Sequence, residues 1–318
     1  MMVIDRGRRS VCHDRFRNFP DFLSRGEVLV LNDTRVIPAR LWGIKDGRDI
    51  EFLLVKETAN GTWQALCRPA RRLRPGDTVD FPEGYRAVVM DADEEGSRTL
   101  RFSPGSAAEL MARAGYAPLP PYIKRGKKMA DRREEDLSRY QTVFAGPAGS
   151  IAAPTAGLHF TPEVLAAVEA RGVEIARLTL NVGLATFRPV RARRVEDHRL
   201  LEEDTVISPE AARTVNAARS EGRPVTAVGT TSVRALESAA AAADGRVLDG
   251  SRAAGLFIRP GYEFRVVDRL LTNFHLPRST LLMLVSALAG LDLVQSAYAE
   301  AVRERYRFFS YGDCMLII

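Results

Sequence analysis

Four short stretches gather Gly, Pro, His, Thr and Asn beside apolar runs more densely than folding alone explains. The first is Asn32-Asp33-Thr34-Arg35-Val36-Ile37-Pro38-Ala39-Arg40, the second residues 153–161 with Thr155, His159 and Thr161, the third Gly229-Thr230-Thr231, and the fourth residues 272–280 with Asn273, His275 and Arg278. A neutral imidazole takes and returns a proton near pH 7, so His159 and His275 are candidates for acid–base work. Gly229 to Thr231 lead from a strand-like run into a helical one, which places free N–H groups and a positive dipole end at a strand's carboxyl end. Each stretch has a plain structural reading beside the chemical one. Thr161 can cap a helix that opens with Pro162, Thr230 can do the same for the next, and Asn32-Asp33-Thr34 reads equally as a turn.

Composition bounds what these residues serve. At 318 residues and 46% hydrophobic content the chain has room for two domains, each with its own core. There is no run of eighteen apolar residues and no export signal in MMVIDRGRRS, so the expected place is the cytoplasm, with no membrane contact. Cys12, Cys67 and Cys314 lack paired spacing and read as ordinary thiols. His13, His159, His198 and His275 lack the i, i+4 spacing of a helical metal site, so no metal is expected. A formal charge of +6 favours an anionic partner such as nucleic acid. The charge is clustered: Arg68, Arg71, Arg72 and Arg74; then Lys124, Arg125, Lys127, Lys128, Arg132 and Arg133 around a lone Asp131; then Arg188, Arg191, Arg193, Arg194 and Arg199. Each cluster reads as a phosphate contact or as a solvated loop with equal ease.

The elements that must position these residues fall into two textures. From Asp49 to Phe102 five short runs, DIEFLLV, TWQALCR, DTVDF, YRAVVM and RTLRF, follow one another with Gly, Pro and Asp-Gly punctuation and no intervening helix, the pattern of a small antiparallel barrel. A short helix over 106–115 precedes residues 115–136, rich in Pro and charge, which read as an exposed linker. Beyond Tyr140, helical and strand-like runs alternate (TPEVLAAVEARG, VEIARLTL, SPEAARTVNAARSEG, VTAVG, TTSVRALESAAAAA), as in an α/β layer, and two further helices are predicted over 279–290 and 291–305. The expected fold is α/β: a mixed-sheet main domain from residues 1–48 and 140–318, interrupted by a barrel domain over 49–139. That the first strands join the C-terminal part does not follow from the pattern.

Taken in order, GEVLVLNDTRVIPARLWG, RPARRLRPGD, PLPPYI, RYQTVFA, AAPTAGLHFT, NVGLATFRPV, AVGTTSVRALES, TNFHLPRSTLLMLVSALAG and YRFFSYGDCMLI resemble the S-adenosylmethionine:tRNA ribosyltransferase-isomerase family of queuosine synthesis over nearly the whole chain. The resemblance implies an α/β domain with an inserted barrel. It implies as substrates S-adenosylmethionine and a tRNA carrying 7-aminomethyl-7-deazaguanine at the wobble position of its anticodon loop, and as products epoxyqueuosine-tRNA, adenine and methionine. S-adenosylmethionine is then a consumed co-substrate, no separate cofactor is required, and a monomer is expected. The resemblance makes His159 the first choice for acid–base work and His275 the second. Thr155, Thr230 and Asn273 would orient the donor or the base, and Arg35, Arg40 and Arg278 would hold a carboxylate or phosphate. Tyr311 and Asp313 would close the site. Lys124, Arg125, Lys127 and Lys128, with Tyr122 beside them, are the expected tRNA contact.

The chain departs from the family pattern in three places. Asn181 stands where His is usual and Ala185 where Gly is usual, Leu201 replaces a second His beside the retained His198 and Glu203, and about twenty residues common ahead of Val3 are not seen. Two alternatives to the family reaction therefore stay open: a paralogue that uses S-adenosylmethionine on another acceptor, and a non-catalytic RNA-binding protein.

Overall fold

The computed structural model describes residues 1–58, 61–93, 96–123, 125, 130–183, 195, 198 and 200–318. The chain divides into two compact units, one of Met1–Arg35, Thr142–Pro147 and Ala153–Ile318, the other of Val36–Gln141 and Ala148–Ala152.

The first unit opens with β1 (Met2–Asp5), β2 (Ser10–His13) and a 3-10 turn over Phe16–Phe22, and then β3 (Val28–Asn32). The two-residue β4 (Arg35–Val36) leads to the second unit, built on β5 (Arg40–Lys45), β6 (Arg48–Glu57), β7 (Thr62–Arg68), β8 (Thr78–Asp80), β9 (Arg86–Ala92) and β10 (Ser97–Ser103), then α1 (Ala107–Ala114) and α2 (Arg133–Arg139). After β11 (Ala148–Ser150), which forms a two-stranded sheet with β4, come a 3-10 helix over Thr155–His159, α3 (Pro162–Ala170), β12 (Glu174–Leu180), β13 (Glu203–Ile207), α4 (Pro209–Ser220), β14 (Val225–Val228), α5 (Thr230–Ala241), β15 (Gly250–Ala254), β16 (Arg269–Asn273), α6 (Thr280–Ala289), α7 (Leu291–Arg303) and β17 (Cys314–Ile317).

The main sheet has the order β15-β13-β12-β3-β14-β16-β17-β1-β2. β12, β3, β14 and β16 are parallel neighbours, whereas β17 runs antiparallel to β16 with Asn273 opposite Cys314. β3 and β14 are buried at every position, as expected of central strands covered on both faces. On one face Leu29, Leu31, Val228, Leu271, Cys314 and Leu316 pack with Phe19, Phe160, Val164 and Val168. Helix starts follow the sequence closely: Thr161 accepts from Val164 N–H at 3.4 Å with Pro162 next, Ser208 accepts from Ala211 N–H, and Ser279 accepts from Leu282 N–H.

In the second unit the six strands close in the order β10-β7-β6-β5-β8-β9. The five runs read from the sequence are all barrel strands. The sixth is β5, which lies before residue 49. Residues 133–136, the end of the stretch that reads as a linker, open α2 (Arg133–Arg139) instead, because Arg125 pairs bidentately with buried Asp136 and Arg133 hydrogen-bonds the carbonyls of Gly115 and Ala112. Those two side chains tie the helix to structure that local propensity does not foresee.

Candidate functional site

The parallel strands β3, β14 and β16 bring Asn32, Gly229 and Asn273 to their carboxyl ends. Asn273 is 2% exposed, and its amide Nδ2 lies 3.2 Å from His159 Nε2 and 3.2 Å from the Phe309 carbonyl. His159 closes the 3-10 helix Thr155–His159, whose approach needs Gly157: a Cβ there would come within 2.8 Å of both Phe144 and Thr142. The imidazole packs on Phe16, with ring centroids 5.3 Å apart. That burial carries its pKa down from 6.5 to about 4 against the opposing charge of Asp313, so the ring is neutral at pH 7. Asp313 is fastened by Arg307, which donates from its backbone N–H at 2.7 Å and from its guanidinium. Burial raises the Asp313 pKa, but the Arg307 hydrogen bonds and charge outweigh it and hold the carboxylate below its usual range.

Asn32 ends β3 on the face opposite Leu31, and through the Thr34 N–H it also closes an Asx-type turn. It is 1% exposed, its Nδ2 donates to Leu180 C=O (3.0 Å) and to Thr231 Oγ1 (3.3 Å), and its Oδ1 accepts from the N–H groups of Thr34 and Leu180. Thr34 in turn donates to Asn181 Oδ1 at 2.7 Å, so the residue that replaces the family's usual His is engaged as an acceptor. Thr230 is 6% exposed at the first position of α5, and no side chain caps that helix. Its N-cap is Gly229, at φ +85° and ψ 151°. A methyl group added at Gly229 would meet only ordinary contacts, 3.5 Å to Thr231 and 3.8 Å to Ala156, so the barrier to substitution is the backbone angle itself. Gly229→Ala is expected to lose about 1–3 kcal/mol in urea unfolding. A loss near zero would show that the turn relaxes without cost.

Other candidates stand elsewhere. His275 binds Thr272 Oγ1 through Nε2 at 2.8 Å, and its backbone N–H donates to Tyr298 OH at 2.9 Å. Adjacent side chains of a strand point to opposite faces, so Thr272 with His275 lies across the sheet from Asn273 with His159. Burial alone carries the His275 pKa down to about 4. Arg40 belongs to the barrel unit, where Glu51 (2.9 Å) and the Leu119 carbonyl (2.6 Å) engage its guanidinium. Arg35 is exposed and donates to Ala145 C=O, Arg278 is exposed at φ +57°, Tyr311 is 40% exposed, and Thr155 is half-buried. Arg125 is held by Asp136, whereas Lys124, Lys127, Lys128 and Ala185 lie outside the described residues, as do Arg188, Arg191, Arg193, Arg194 and Arg199. His198 packs edge-on against Phe257. Burial pushes the Cys67 and Cys314 thiols up to about 12, which keeps both protonated. The sequence did not single out Phe16, Arg307 or the Phe309 carbonyl. The last acts through its backbone and leaves no residue-type signal.

An open α/β sheet with buried Asn32 and Asn273 at the carboxyl ends of its parallel strands, together with a closed six-stranded barrel, defines the class: a mixed α/β protein with a barrel unit, of the kind whose sheets bind ligands at that edge. The family described as queuosine biosynthesis protein matches residues 1–317, and the chain belongs to it. Similar proteins include the S-adenosylmethionine:tRNA ribosyltransferase-isomerases of Clostridioides difficile, 48% identical over 100% of this chain and 92% of that one, and of Geobacter sulfurreducens, 50% identical over the same shares. The crystal structure of S-adenosylmethionine tRNA ribosyltransferase from Thermotoga maritima aligns over 100% of this chain and 91% of its own, with a TM-score of 0.53 and 35% identity. Among the described residues no single helix is long and apolar enough to cross a membrane.

Proposed function

We propose that this chain transfers and isomerises the ribosyl group of S-adenosylmethionine onto the amine of 7-aminomethyl-7-deazaguanine at the wobble position of a tRNA anticodon loop, releasing adenine and methionine and leaving epoxyqueuosine-tRNA. The supporting observation is the full-length identity of 48–50% to enzymes of that name, joined to half-buried His159 against buried Asn273 at the sheet's carboxyl edge. The sulfonium acidifies the adjacent ribose carbon, a base removes its proton, and the ribose opens as adenine leaves. The unprotonated amine of the deazaguanine adds to the opened sugar, and closure to the cyclopentane epoxide expels methionine. S-adenosylmethionine is consumed, and this sequence of steps calls on no further cofactor. His159, Asn273, Thr155, Thr230 and Asp313 face the reacting groups in this reading, with Tyr311 and Arg278 at the entrance, in a cytoplasmic monomer.

For tRNA, Arg68, Arg71 and Arg74 join Lys124, Lys127 and Lys128. The three arginines are exposed in the barrel unit, and of the acids Asp77 meets Arg74 through its backbone N–H at 2.7 Å. Arg125, Arg132 and Arg133 are spent on Asp136, Glu135 and α1. Replacing Lys124, Lys127 and Lys128 with Ala is expected to raise KM for tRNA several-fold, with a shallower salt dependence, and to leave KM for S-adenosylmethionine unchanged. Equal changes in both constants would remove the cluster from tRNA binding.

The deciding experiment incubates the protein with S-adenosylmethionine and tRNA bearing the aminomethyl-deazaguanine, and follows adenine release and the nucleoside mass. Adenine with the epoxyqueuosine mass supports the reading. A second reading rests on Asn181, engaged by Thr34 where the family's His is usual: a paralogue acting on another acceptor, which would release adenine with other RNA and not with this one. RNA binding without any adenine release would sink both.

A further inference from the structure

We infer that His159 is locked as a neutral hydrogen-bond donor through Nδ1–H, and that the Asn273 Oδ1 beside it is an acceptor port for a substrate N–H or O–H. The inference rests on the ribosyl-transfer reading for the identity of the ligand, but not for the hydrogen-bond geometry.

The argument begins at the Phe309 carbonyl. Gly312 N–H donates to it at 3.0 Å, and the turn holds Phe309 at φ +74°, a conformation bulky residues avoid unless the surrounding structure imposes it. Gly312 is required for that closure, because a Cβ there would come within 2.3 Å of the Arg307 carbonyl oxygen. The carbonyl so aimed lies 3.2 Å from one end of the Asn273 amide. A carbonyl oxygen only accepts, so the amide must present its NH2 there. The reverse orientation would set two oxygens against each other and strand the NH2 at the other end.

The orientation of Asn273 then fixes the histidine. The same Nδ2 lies 3.2 Å from His159 Nε2, and an NH2 group has two hydrogens, one for Phe309 and one for the ring. Nε2 must therefore carry a lone pair, and the ring proton sits on Nδ1. No described residue accepts from that Nδ1–H. A proton-abstracting role at Nε2 is closed, because its lone pair already holds the Asn273 hydrogen bond. The proton beside the sulfonium is left to another base, and His159 orients or polarises through a hydrogen bond without transferring its proton.

The second consequence concerns Asn273 Oδ1. It is buried in a side chain 2% exposed and has no hydrogen-bond partner. Buried acceptors are nearly always satisfied, so an orphan beside half-buried His159 at a strand's carboxyl edge marks a place where a ligand supplies the missing hydrogen. The ligand group must carry N–H or O–H: a ribose hydroxyl, an exocyclic amine of a base, or an ammonium. A carboxylate is repelled, so the methionine carboxylate binds away from Asn273.

The test reads the tautomer directly. In the full-length chain labelled with 15N-histidine, long-range 1H–15N correlations show which ring nitrogen is protonated, and the His159 signals are those missing from His159→Asn. Protonation at Nδ1 at pH 7 is expected, and protonation at Nε2 in the wild-type protein overturns the inference without any variant. Asn273→Asp exchanges the donor for an acceptor and is expected to move the proton to Nε2; an unchanged tautomer in a folded variant overturns the role given to Asn273. In the adenine-release assay His159→Asn, which offers an amide N–H near the place of Nδ1–H, is expected to keep turnover within about 10-fold, while His159→Ala loses about 100-fold or more. Equal losses overturn the donor role. Absence of adenine release from the wild-type protein, with Nδ1 protonated, sinks the ribosyl-transfer reading alone.

Discussion

Lowering the pH from 7 to 4 is expected to remove about 6 kcal/mol of stability from the α/β unit, through two histidines that are buried neutral. His159 and His275 each fall from an ordinary value of 6.5 to about 4, the first by burial against the partial opposition of Asp313 and the second by burial alone. A depressed folded-state pKa means that the unfolded chain takes up the proton first. The contribution is therefore complete above pH 6.5, falls at up to about 1.4 kcal/mol per pH unit for each ring as the pH drops toward 4, and does not change further below that. Carboxylates act lower. Asp14, Asp77, Glu135 and Asp313 are all depressed from starting values of 3.8 to 4.5, so the window between 6.5 and about 5 belongs to the imidazoles. A total of about 6 kcal/mol is comparable to the whole stability of many domains. Both tryptophans, Trp42 and Trp63, lie in barrel strands, so their fluorescence follows the other unit. Far-UV circular dichroism in urea at pH 7, 5.5 and 4.5 is the suitable measurement, with His275→Gln as the control that halves the slope. A midpoint that does not move between pH 6.5 and 5 would show that neither ring is held neutral.

The control works because the two histidines have separate surroundings, and that separation is where sequence and structure part. His275 stands two residues from Asn273 and His159 stands 114 away, yet the distant one reaches Asn273. Proximity along the chain misleads at the end of a strand, where Thr272 and Asn273 face opposite ways and His275 follows Thr272. Recognising β16 as a strand would have exposed this, but RLLTN is too short and too mixed to announce one. The α/β alternation after Tyr140 is legible because three of its helices carry their own start signals, Thr161-Pro162, Ser208-Pro209 and Ser279, while α5 and α7 open on a glycine. The barrel is legible from period-two runs closed by turn residues. Its strand β5 reads only as an extended piece within residues 1–48, which the sequence assigns to the main domain, and it runs on through Gly43. In the fold that glycine is a close approach, where a Cβ would come within 2.6 Å of Val79 and 3.0 Å of Phe81. Strands β1 and β17 pair across more than 300 residues, Met2 with Met315, and no local pattern reports such a contact. The basic stretch from Lys124 reads in the sequence as one surface, but Arg125, Arg132 and Arg133 fold back onto acids and helix-end carbonyls. Charge sequence gives composition, and only the fold says which charges are already neutralised.

Glu203 and Arg234 show the same point with a larger consequence. Their side chains are 3% and 8% exposed, and they form a direct ion pair from β13 to α5. Arg234 also donates to the carbonyls of Ala254 (2.8 Å) and Leu201 (3.3 Å), while Glu203 accepts from Gly183 N–H at 3.1 Å. One guanidinium thus joins the helix that begins beside Asn273's strand to two outer strands of the sheet, and its partner carboxylate holds the backbone just beyond Asn181. Arg234→Met keeps the length of the side chain but leaves a carboxylate buried with a single N–H for company. Breaking a buried pair from one side in this way destabilises by about 3–5 kcal/mol, more than the Coulomb attraction it removes, because the remaining charge has lost its solvent and its partner together. Removing that charge as well should reverse most of the loss. The double variant Glu203→Gln with Arg234→Met is expected to regain more than half of it in urea unfolding, a coupling of about 2 kcal/mol or more. Arg234→Lys restores the charge but not the fork that reaches two carbonyls and a carboxylate at once, so it is expected to fall between Met and wild type. Additive losses in the double variant would mean that water reaches Glu203 and that the pair contributes as a surface one does.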